Sequence, residues 1–187
     1  MIATAQAAGV PVQGILDDRE DLQGQQILGV PVVGRLAEAD RFEPRRGVVA
    51  IGDNRTRKQV VERLTDWTWV TLVHPRAVVH ESVRMGPGTV VFAGAVIQPD
   101  TVIGVHVIIN TGATVDHDCV IGDFAHIAPG AHLAGGVRVG EGVLLGIGSS
   151  VIPGKRIGNW SVVGAGAAVV KDLPPNVVAV GVPAKLV

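Results

Sequence analysis

The 187-residue sequence has no tyrosine, and aromatic residues make up only 3% of it, although 47% of its residues are hydrophobic. Its core must therefore be built from aliphatic side chains. The single cysteine excludes an intramolecular disulfide and a cysteine-based zinc cluster. No apolar run approaches the ~18 residues of a transmembrane helix, and the first residues lack a secretory signal.

An excess of basic charge is also absent. The chain has 16 Lys and Arg against 17 Asp and Glu, which gives a net charge of −1. This balance argues against nucleic acid or an anionic membrane as a partner. Because neither a transmembrane run nor a secretory signal is visible, the expected location is the cytoplasm.

What the sequence does have is a repeat of six residues. From Val79 to Val169, every sixth residue is aliphatic or Met, 16 in all. The position two residues earlier is small or β-branched in every repeat except that of Lys155. Because six is a multiple of the two-residue period of a strand, and not of the 3.6-residue period of a helix, both positions are expected to point inward from short strands.

A glycine recurs every 18 residues, which makes three six-residue repeats per coil. The sequence thus predicts a triangular prism of stacked coils with one short strand on each side. The glycines are expected to mark a corner with positive φ. They are Gly86, Gly104, Gly122, Gly140 and Gly158.

One outer wall of this prism is predicted to be apolar. Residues on that wall, 18 apart, are Val90, Ile108, His126, Leu144 and Val162. A monomer would leave this stripe in water, so the pattern predicts a subunit interface, and a cyclic trimer would suit it.

Residues 1–73 lack the six-residue rhythm. Residues 1–9 and 56–64 have helical composition, and residues 12–16, 48–51 and 69–73 are typical of strands. Alternating strands and helices predict a small α/β domain with a parallel sheet, followed by the prism over residues 74–187.

Several stretches resemble one known family. They are GILDD at 14–18, LGVPV at 28–32, VAIGDN at 49–54, INTGATVDHD at 109–118, CVIGD at 119–123 and VGVPAK at 180–185. The sequence is similar to the sialic-acid O-acetyltransferase and nucleotide-aminosugar N-acetyltransferase family of hexapeptide-repeat acyltransferases. The resemblance implies a left-handed parallel β-helix, a homotrimer and acetyl-CoA as the donor.

The resemblance also gives an expectation about the start of the chain. Family members begin with a strand and a Gly-rich loop that helps to hold the nucleotide of the acceptor. This sequence begins after that point, so the small Rossmann-like domain is expected to be truncated at its start. Either the missing strand is encoded upstream, which we favour, or the acceptor site is incomplete.

The family motif places its general base at His117. An imidazole suits proton removal near neutral pH, and the neighbouring Asp118 can fix its tautomer. One coil above His117 stands Gly135, which has no side chain to cover it and whose N–H is the candidate oxyanion donor. A solvated turn histidine is the alternative for His117.

Other roles are implied by the resemblance, each with a structural alternative. His126, Gly135, Gly164 and Gly166 are expected to bind acetyl-CoA, although His126 could simply pack at a subunit interface. Asn110 is expected to orient the acceptor or cap a turn. The candidates for the nucleotide-sugar pocket are Asp17, Asp18 and Gly52. The alternative is that these residues only shape their own loops, as Asp and Gly often do in turns. Cys119 is expected in the core.

No metal site is expected. Related prisms, the γ-type carbonic anhydrases, bind zinc through three histidines, the last two separated by four residues. Here His126 and His132 have five residues between them, so the spacing does not match.

The predicted function is acetyl transfer from acetyl-CoA to a nucleotide-linked amino sugar. The transfer is direct, because no activated Ser or Cys is visible. The favoured acceptor is a UDP-linked 4-amino-4,6-dideoxy sugar. The alternatives are O-acetylation of a sialic acid or another sugar, and a non-catalytic scaffold or sugar-binding module.

Overall fold

The computed structural model describes all 187 residues. Its first part is a small domain of two helices and five short strands. These elements are α1 Ile2–Ala7, β1 Ile15–Leu16, β2 Gln26–Ile27, β3 Val30–Gly34, β4 Arg46–Gly47, α2 Asn54–Arg63 and β5 Thr68–Trp69, with 3₁₀ turns at Glu20–Leu22 and Leu36–Arg41.

The small domain is α/β, as the sequence predicts, and the prediction of parallel pairing is correct for β1 with β3 and for β4 with β5 but wrong for β2. Strand β3 pairs with β1 in parallel and with β2 antiparallel, and β4 and β5 form a separate parallel pair. The predicted strand at 48–51 is also wrong. The guanidinium of Arg57 binds the carbonyl oxygens of Ile51 and Gly52 at 2.9 and 3.3 Å, so these groups are not free for a strand ladder.

The rest of the chain winds a three-sided prism of two- and three-residue strands. They are β6 Leu72–Val73, β7 Val78–Val79, β8 Arg84–Met85, β9 Val90–Val91, β10 Val96–Ile97, β11 Val102–Ile103, β12 Ile108–Ile109, β13 Thr114–Val115, β14 Val120–Ile121, β15 His126–Ile127, β16 His132–Leu133, β17 Arg138–Val139, β18 Leu144–Leu145, β19 Ser150–Val151, β20 Arg156–Ile157, β21 Val162–Val163, β22 Ala168–Val169, β23 Val178–Val180 and β24 Lys185–Leu186.

Each side of the prism is a sheet whose neighbouring strands lie 18 residues apart, except at the C-terminal end, where Val162 pairs with Val178. The first face contains β6, β9, β12, β15, β18, β21 and the C-terminal pair β23 and β24; we call it the docking face. The second contains β7, β10, β13, β16, β19 and β22; we call it the groove face. The third contains β8, β11, β14, β17 and β20. The strands of each face pair in parallel, except β24, which is antiparallel to β23.

The inward positions build one aliphatic core, as the six-residue repeat predicts. Twenty-five buried residues form a continuous cluster along the prism axis. Cys119 belongs to it and is completely buried, and burial raises the pKa of its thiol to about 11. Cys119 is therefore a core residue, as expected.

The glycines at 18-residue spacing are needed for a different reason from the one predicted. None has a positive φ. A Cβ on Gly122 would instead lie 2.7 Å from the backbone nitrogen of Glu141 in the next coil, and one on Gly158 would lie 2.3 Å from the nitrogen of Pro175. These glycines allow neighbouring coils to approach each other closely. Positive φ occurs elsewhere, once per repeat, at every sixth residue from 88 to 166.

The lower part of the apolar stripe is covered by the chain itself, while His126, Leu144 and Val162 are only half-buried, so a subunit interface on the upper part stays a prediction. Val90 and Ile108 have exposed fractions of 0% and 3%. Val90 packs with Ala5 of α1 and with Leu72. Higher on the same face, Leu144 and Val162 line a small cleft closed by the start of α2. The stripe is the surface on which the small domain docks.

A buried arginine connects α2 to the prism. Arg57 is only 1% exposed. Its Nε donates to the carbonyl of His106 at 3.0 Å and its Nη2 to that of Phe124 at 2.7 Å. Beside it, the Asn54 amide donates to the carbonyl of Gly142 at 3.1 Å. Burial lowers the pKa of Arg57 to about 10, so the side chain remains a cation near neutral pH.

An aromatic ladder runs along the corner beneath α2. His106, Phe124 and Trp160 occupy positive-φ positions with φ of 53°, 56° and 59°. The His106 and Phe124 rings stack with centroids 5.3 Å apart, and the guanidinium of Arg55 lies 4.5 Å from the Trp160 ring. A side chain in this conformation costs about 1–2 kcal/mol, which the contacts with α2 offset.

The helix α2 begins two residues before the predicted segment, because Asp53 caps it. Asp53 Oδ1 accepts from the hydroxyl of Thr56 at 2.7 Å and from its backbone N–H at 2.8 Å, and these two bonds lower the pKa of Asp53. Neither α1 nor α2 has the length and apolar content that a bilayer-spanning helix requires.

The role of Arg57 predicts a large effect on stability. We expect Arg57→Ala to lower the free energy of unfolding by about 2–4 kcal/mol, since each buried carbonyl left without a donor costs about 1–3 kcal/mol. The matched control, Arg55→Ala on the exposed side of the same helix, should cost about 0.5–1 kcal/mol. Urea unfolding followed by tryptophan fluorescence measures both. Equal losses would show that Arg57 does not hold the domains together.

Candidate active site

His117 lies on the corner between the groove face and the third face, in the turn after β13. Its Nδ1 is 2.8 Å from Asp118 Oδ2, and both side chains are exposed. The hydrogen bond with Asp118, followed by the charge of Asp116, raises the pKa of His117. With the Nδ1 proton directed to Asp118, Nε2 keeps its lone pair and can accept a proton.

Gly135 lies directly above this imidazole in the next coil. A Cβ at Gly135 would be 2.6 Å from both Cε1 and Nε2 of His117, so any other residue would displace the ring. The N–H of Gly135 has no acceptor within the chain. The geometry thus provides a free amide donor beside the Nε2 of His117.

A second group of predicted residues meets on the docking face. Asn110 Nδ2 lies 3.1 Å from His126 Nε2, and His126 is close to the backbone of Gly52. Burial and the positive charge of Arg57 lower the pKa of His126, although a hydrogen bond with Gly52 opposes this shift. His126 is therefore neutral near pH 7, in contrast to the more basic His117.

The remaining predicted residues lie apart from both groups. Asp17 is paired with Arg19 at 3.2 Å, which lowers the pKa of Asp17, and Asp18 Oδ1 accepts from the backbone N–H of Leu36 at 2.8 Å. Both hold the loop after β1. Gly164 and Gly166 lie on the corner between the docking and groove faces, where Gly166 has a φ of 65° and open space around it.

Within one chain the structure does not bring all the predicted residues together. The His117 corner is the edge of the prism opposite the docking face, on which Gly52, Asn110 and His126 meet. The full thickness of the prism therefore lies between the His117 corner and the docking face. The two groups can form a common site only between two copies of the chain.

A shallow groove of about 240 Å³ beside His117 contains residues that the sequence reasoning did not select. It lies on the groove face and is lined by Val96, Gln98, Thr114, Val115, Asp116 and Leu133. The 18-residue spacing of Gln98 and Asp116 could have indicated that they stack in this corner. No three His, Cys, Asp or Glu side chains lie close enough together to hold a metal ion.

Known proteins similar to this chain are sugar acetyltransferases. The family model of the PglD N-terminal domain matches residues 1–64. The solved structure of PerB from Caulobacter crescentus, in complex with CoA and GDP-perosamine, is 46% identical and has a TM-score of 0.94, with 100% of this chain and 90% of that chain covered. Structures also exist of that enzyme, a perosamine N-acetyltransferase, with one histidine replaced by asparagine or alanine.

Two further relatives are similar. The acetyltransferase domain of PglB from Neisseria gonorrhoeae, in complex with acetyl coenzyme A, is 39% identical with a TM-score of 0.93, covering 99% of this chain and 91% of that one. The UDP-N-acetylbacillosamine N-acetyltransferase of Bacillus subtilis is 49% identical over 48 residues, which is 25% of this chain. That match spans only 22% of the Bacillus enzyme.

A parallel β-helix of six-residue repeats, with an imidazole–carboxylate pair beside a bare glycine, defines the class of the hexapeptide-repeat acyltransferases. The chain belongs to the sialic-acid O-acetyltransferase and nucleotide-aminosugar N-acetyltransferase family of that class. The predictions of the family, of the β-helix fold and of an acyltransferase are confirmed. The roles of the individual site residues stay predictions.

The pair of His117 and Asp118 predicts a measurable titration shift. Asp118→Asn should lower the pKa of His117 toward its ordinary value, because the charged acceptor at Nδ1 becomes neutral. NMR titration of the His117 ring protons measures this directly. The control is Asp100→Asn, which changes the corresponding carboxylate one coil below and should leave the titration unchanged. An unchanged pKa in Asp118→Asn would mean that the pair does not form in solution.

Proposed function

We propose that this chain transfers the acetyl group of acetyl-CoA to the amino group of a nucleotide-linked amino sugar, with His117 as the general base. The observation that carries the proposal is the His117–Asp118 pair, whose free Nε2 lies beside the unpartnered N–H of Gly135. The relatives solved with CoA, acetyl-CoA and GDP-perosamine support this choice of substrates.

The transfer proceeds in one step without a covalent enzyme intermediate. The amine nitrogen attacks the thioester carbonyl carbon, the new C–N bond forms and the C–S bond breaks. His117 Nε2 takes the proton that the nitrogen loses and passes it to the departing CoA thiolate. The N–H of Gly135 donates to the carbonyl oxygen while that oxygen carries negative charge. Asp118 keeps the imidazole in the productive tautomer.

The other predicted residues are assigned to binding. His126, Gly164 and Gly166 contact acetyl-CoA, Asn110 orients the acceptor, and Asp17, Asp18 and Gly52 bind the nucleotide sugar. The proposed division is a nucleotide-sugar-binding domain over residues 1–73 and an acetyltransferase domain over 74–187. The paired first strand Leu72–Val73 supports a boundary close to this position.

The proposal includes a homotrimer. Because the His117 corner and the docking face lie on opposite sides of one prism, a complete site requires the corner of one copy against the docking face of the next. Three copies close such a head-to-tail arrangement into a ring. Val78, Ile147 and Ile152, with exposed fractions of 63%, 62% and 41%, supply apolar contact surface outside the docking face.

The test of the base is His117→Ala. Its kcat should fall by about 10²–10⁴, the usual effect of losing a general base, while the circular dichroism spectrum stays unchanged. The assay follows CoA release with a panel of UDP-, GDP- and CMP-linked sugars that carry either an amino or a hydroxyl group. His80→Ala, at the same corner two coils below, is the matched control and should retain full turnover. A His117→Ala protein with normal turnover would refute the mechanism, and a wild-type protein that releases no CoA with any sugar of the panel would favour the non-catalytic scaffold.

The test of the assembly combines two inactive variants. Trimers formed from equal amounts of His117→Ala and His126→Ala should recover about a quarter of the wild-type activity, because a quarter of randomly formed interfaces have both histidines intact. Sedimentation should give the mass of three chains. A stable monomer at micromolar concentration, or mixed assemblies without recovered activity, would contradict sites shared between copies.

A further inference from the structure

One carboxylate of the groove beside His117 has no part in the mechanism so far. Asp116 immediately precedes the base, is half-buried and lines the groove. Its Oδ1 accepts from the backbone N–H of His117 at 2.8 Å. Its Oδ2 has no partner within the chain. Asp116 therefore holds the turn that carries the base and still presents one free anionic oxygen.

No other residue that lines the groove carries a charge like that of Asp116 Oδ2. Val96, Val115 and Leu133 are apolar, and the Thr114 hydroxyl is already bonded to His132 Nδ1 at 2.9 Å. Gln98 is the remaining polar side chain, and it is neutral. Asp116 is thus the single charged group of the groove, and the nearby Asp118 is occupied by His117 Nδ1.

The two possible acceptor groups differ in charge. A primary amine of the α-amino type has a pKa of about 8 and is largely protonated near neutral pH, whereas a sugar hydroxyl is neutral. A carboxylate in a partly apolar groove attracts an ammonium group through a charge-assisted hydrogen bond. A hydroxyl can also donate a hydrogen bond to the carboxylate, but it gains no attraction between opposite charges.

We propose that Asp116 binds the ammonium form of the acceptor in this groove and makes the enzyme select amines over hydroxyls. This assignment rests on the function proposed above and adds its specificity-determining residue. It addresses the choice between N- and O-acetylation that the sequence leaves open.

The protons balance along this route. The acceptor enters as R–NH₃⁺ and loses one proton through His117 Nε2 to water before it attacks. The nitrogen then loses a second proton to Nε2 as the C–N bond forms, and that proton leaves with the CoA thiol. The sum is an ammonium and acetyl-CoA giving an amide, CoA thiol and one proton in solution.

The experiment measures binding without transfer. CoA replaces acetyl-CoA, and calorimetric titration gives Kd for the nucleotide-linked amino sugar that the panel identifies and for its counterpart with a hydroxyl in place of the amine. Asp116→Asn is the test variant, since its amide oxygen can still accept from the His117 N–H. Asp100→Asn is the matched control, because Asp100 lies at the same corner but does not line the groove.

We expect Asp116→Asn to raise Kd for the amine about 10- to 100-fold, the loss of a charge-assisted bond, and to change Kd for the hydroxyl counterpart less than about threefold. Asp100→Asn should leave both values unchanged. An unaltered Kd for the amine, or equal weakening of both ligands, would overturn the role of Asp116. A wild-type protein that acetylates no amino sugar of the panel would instead overturn the proposed function.

Discussion

The contact on which the rest of the molecule depends is that between Arg57 and the corner carbonyls of the prism. Two-residue strands bury nothing on their outer side, so each face of the prism is available to a partner. Arg57, fixed in α2 by the Asp53 cap, donates to His106 and Phe124 and so directs the small domain to the docking face. In this position the small domain covers the lower part of the apolar stripe, and the His117 corner stays exposed to solvent.

The stacking of coils then determines the chemistry of the exposed corner. Residues 18 apart lie one above the other, so a side chain in one coil must fit the residue above it. His117 has room for its imidazole only because Gly135 has no Cβ. The same geometry gives the spaced glycines their role, since the next backbone passes where their Cβ atoms would lie. The close approach of neighbouring coils thus requires glycine at the 18-residue spacing. It also determines which side chains fit at the corner that carries His117.

Burial separates the two histidines of the site into different roles. His117 is exposed between Asp116 and Asp118, and the hydrogen bond with Asp118 together with the charge of Asp116 raises its pKa, which suits a proton acceptor. His126 lies beneath the small domain near Arg57, and burial lowers its pKa, which suits a neutral hydrogen-bonding group. Because the two lie on opposite sides of one prism, a second copy is needed to bring a basic and a neutral imidazole to the same ligand. In the proposed homotrimer, docking of the small domain would prepare one half of the site, and the neighbouring copy would supply the other half.

The sequence by itself determined the prism, its three repeats per coil, the burial of Cys119 and the stacking of His117 beneath Gly135. These features follow from fixed spacings along the chain, and a strict period of six residues allows no other register. It did not determine what covers the lower part of the outer stripe, where Val90 packs against Ala5 of α1. The sequence also could not give the reason for the spaced glycines, and it predicted a strand at 48–51 that does not form. Those outcomes depend on contacts between residues far apart in the chain, such as Arg57 with Phe124 and Gly122 with Glu141. Only the tertiary structure, by placing α2 on one face, decided which surfaces remain free to bind.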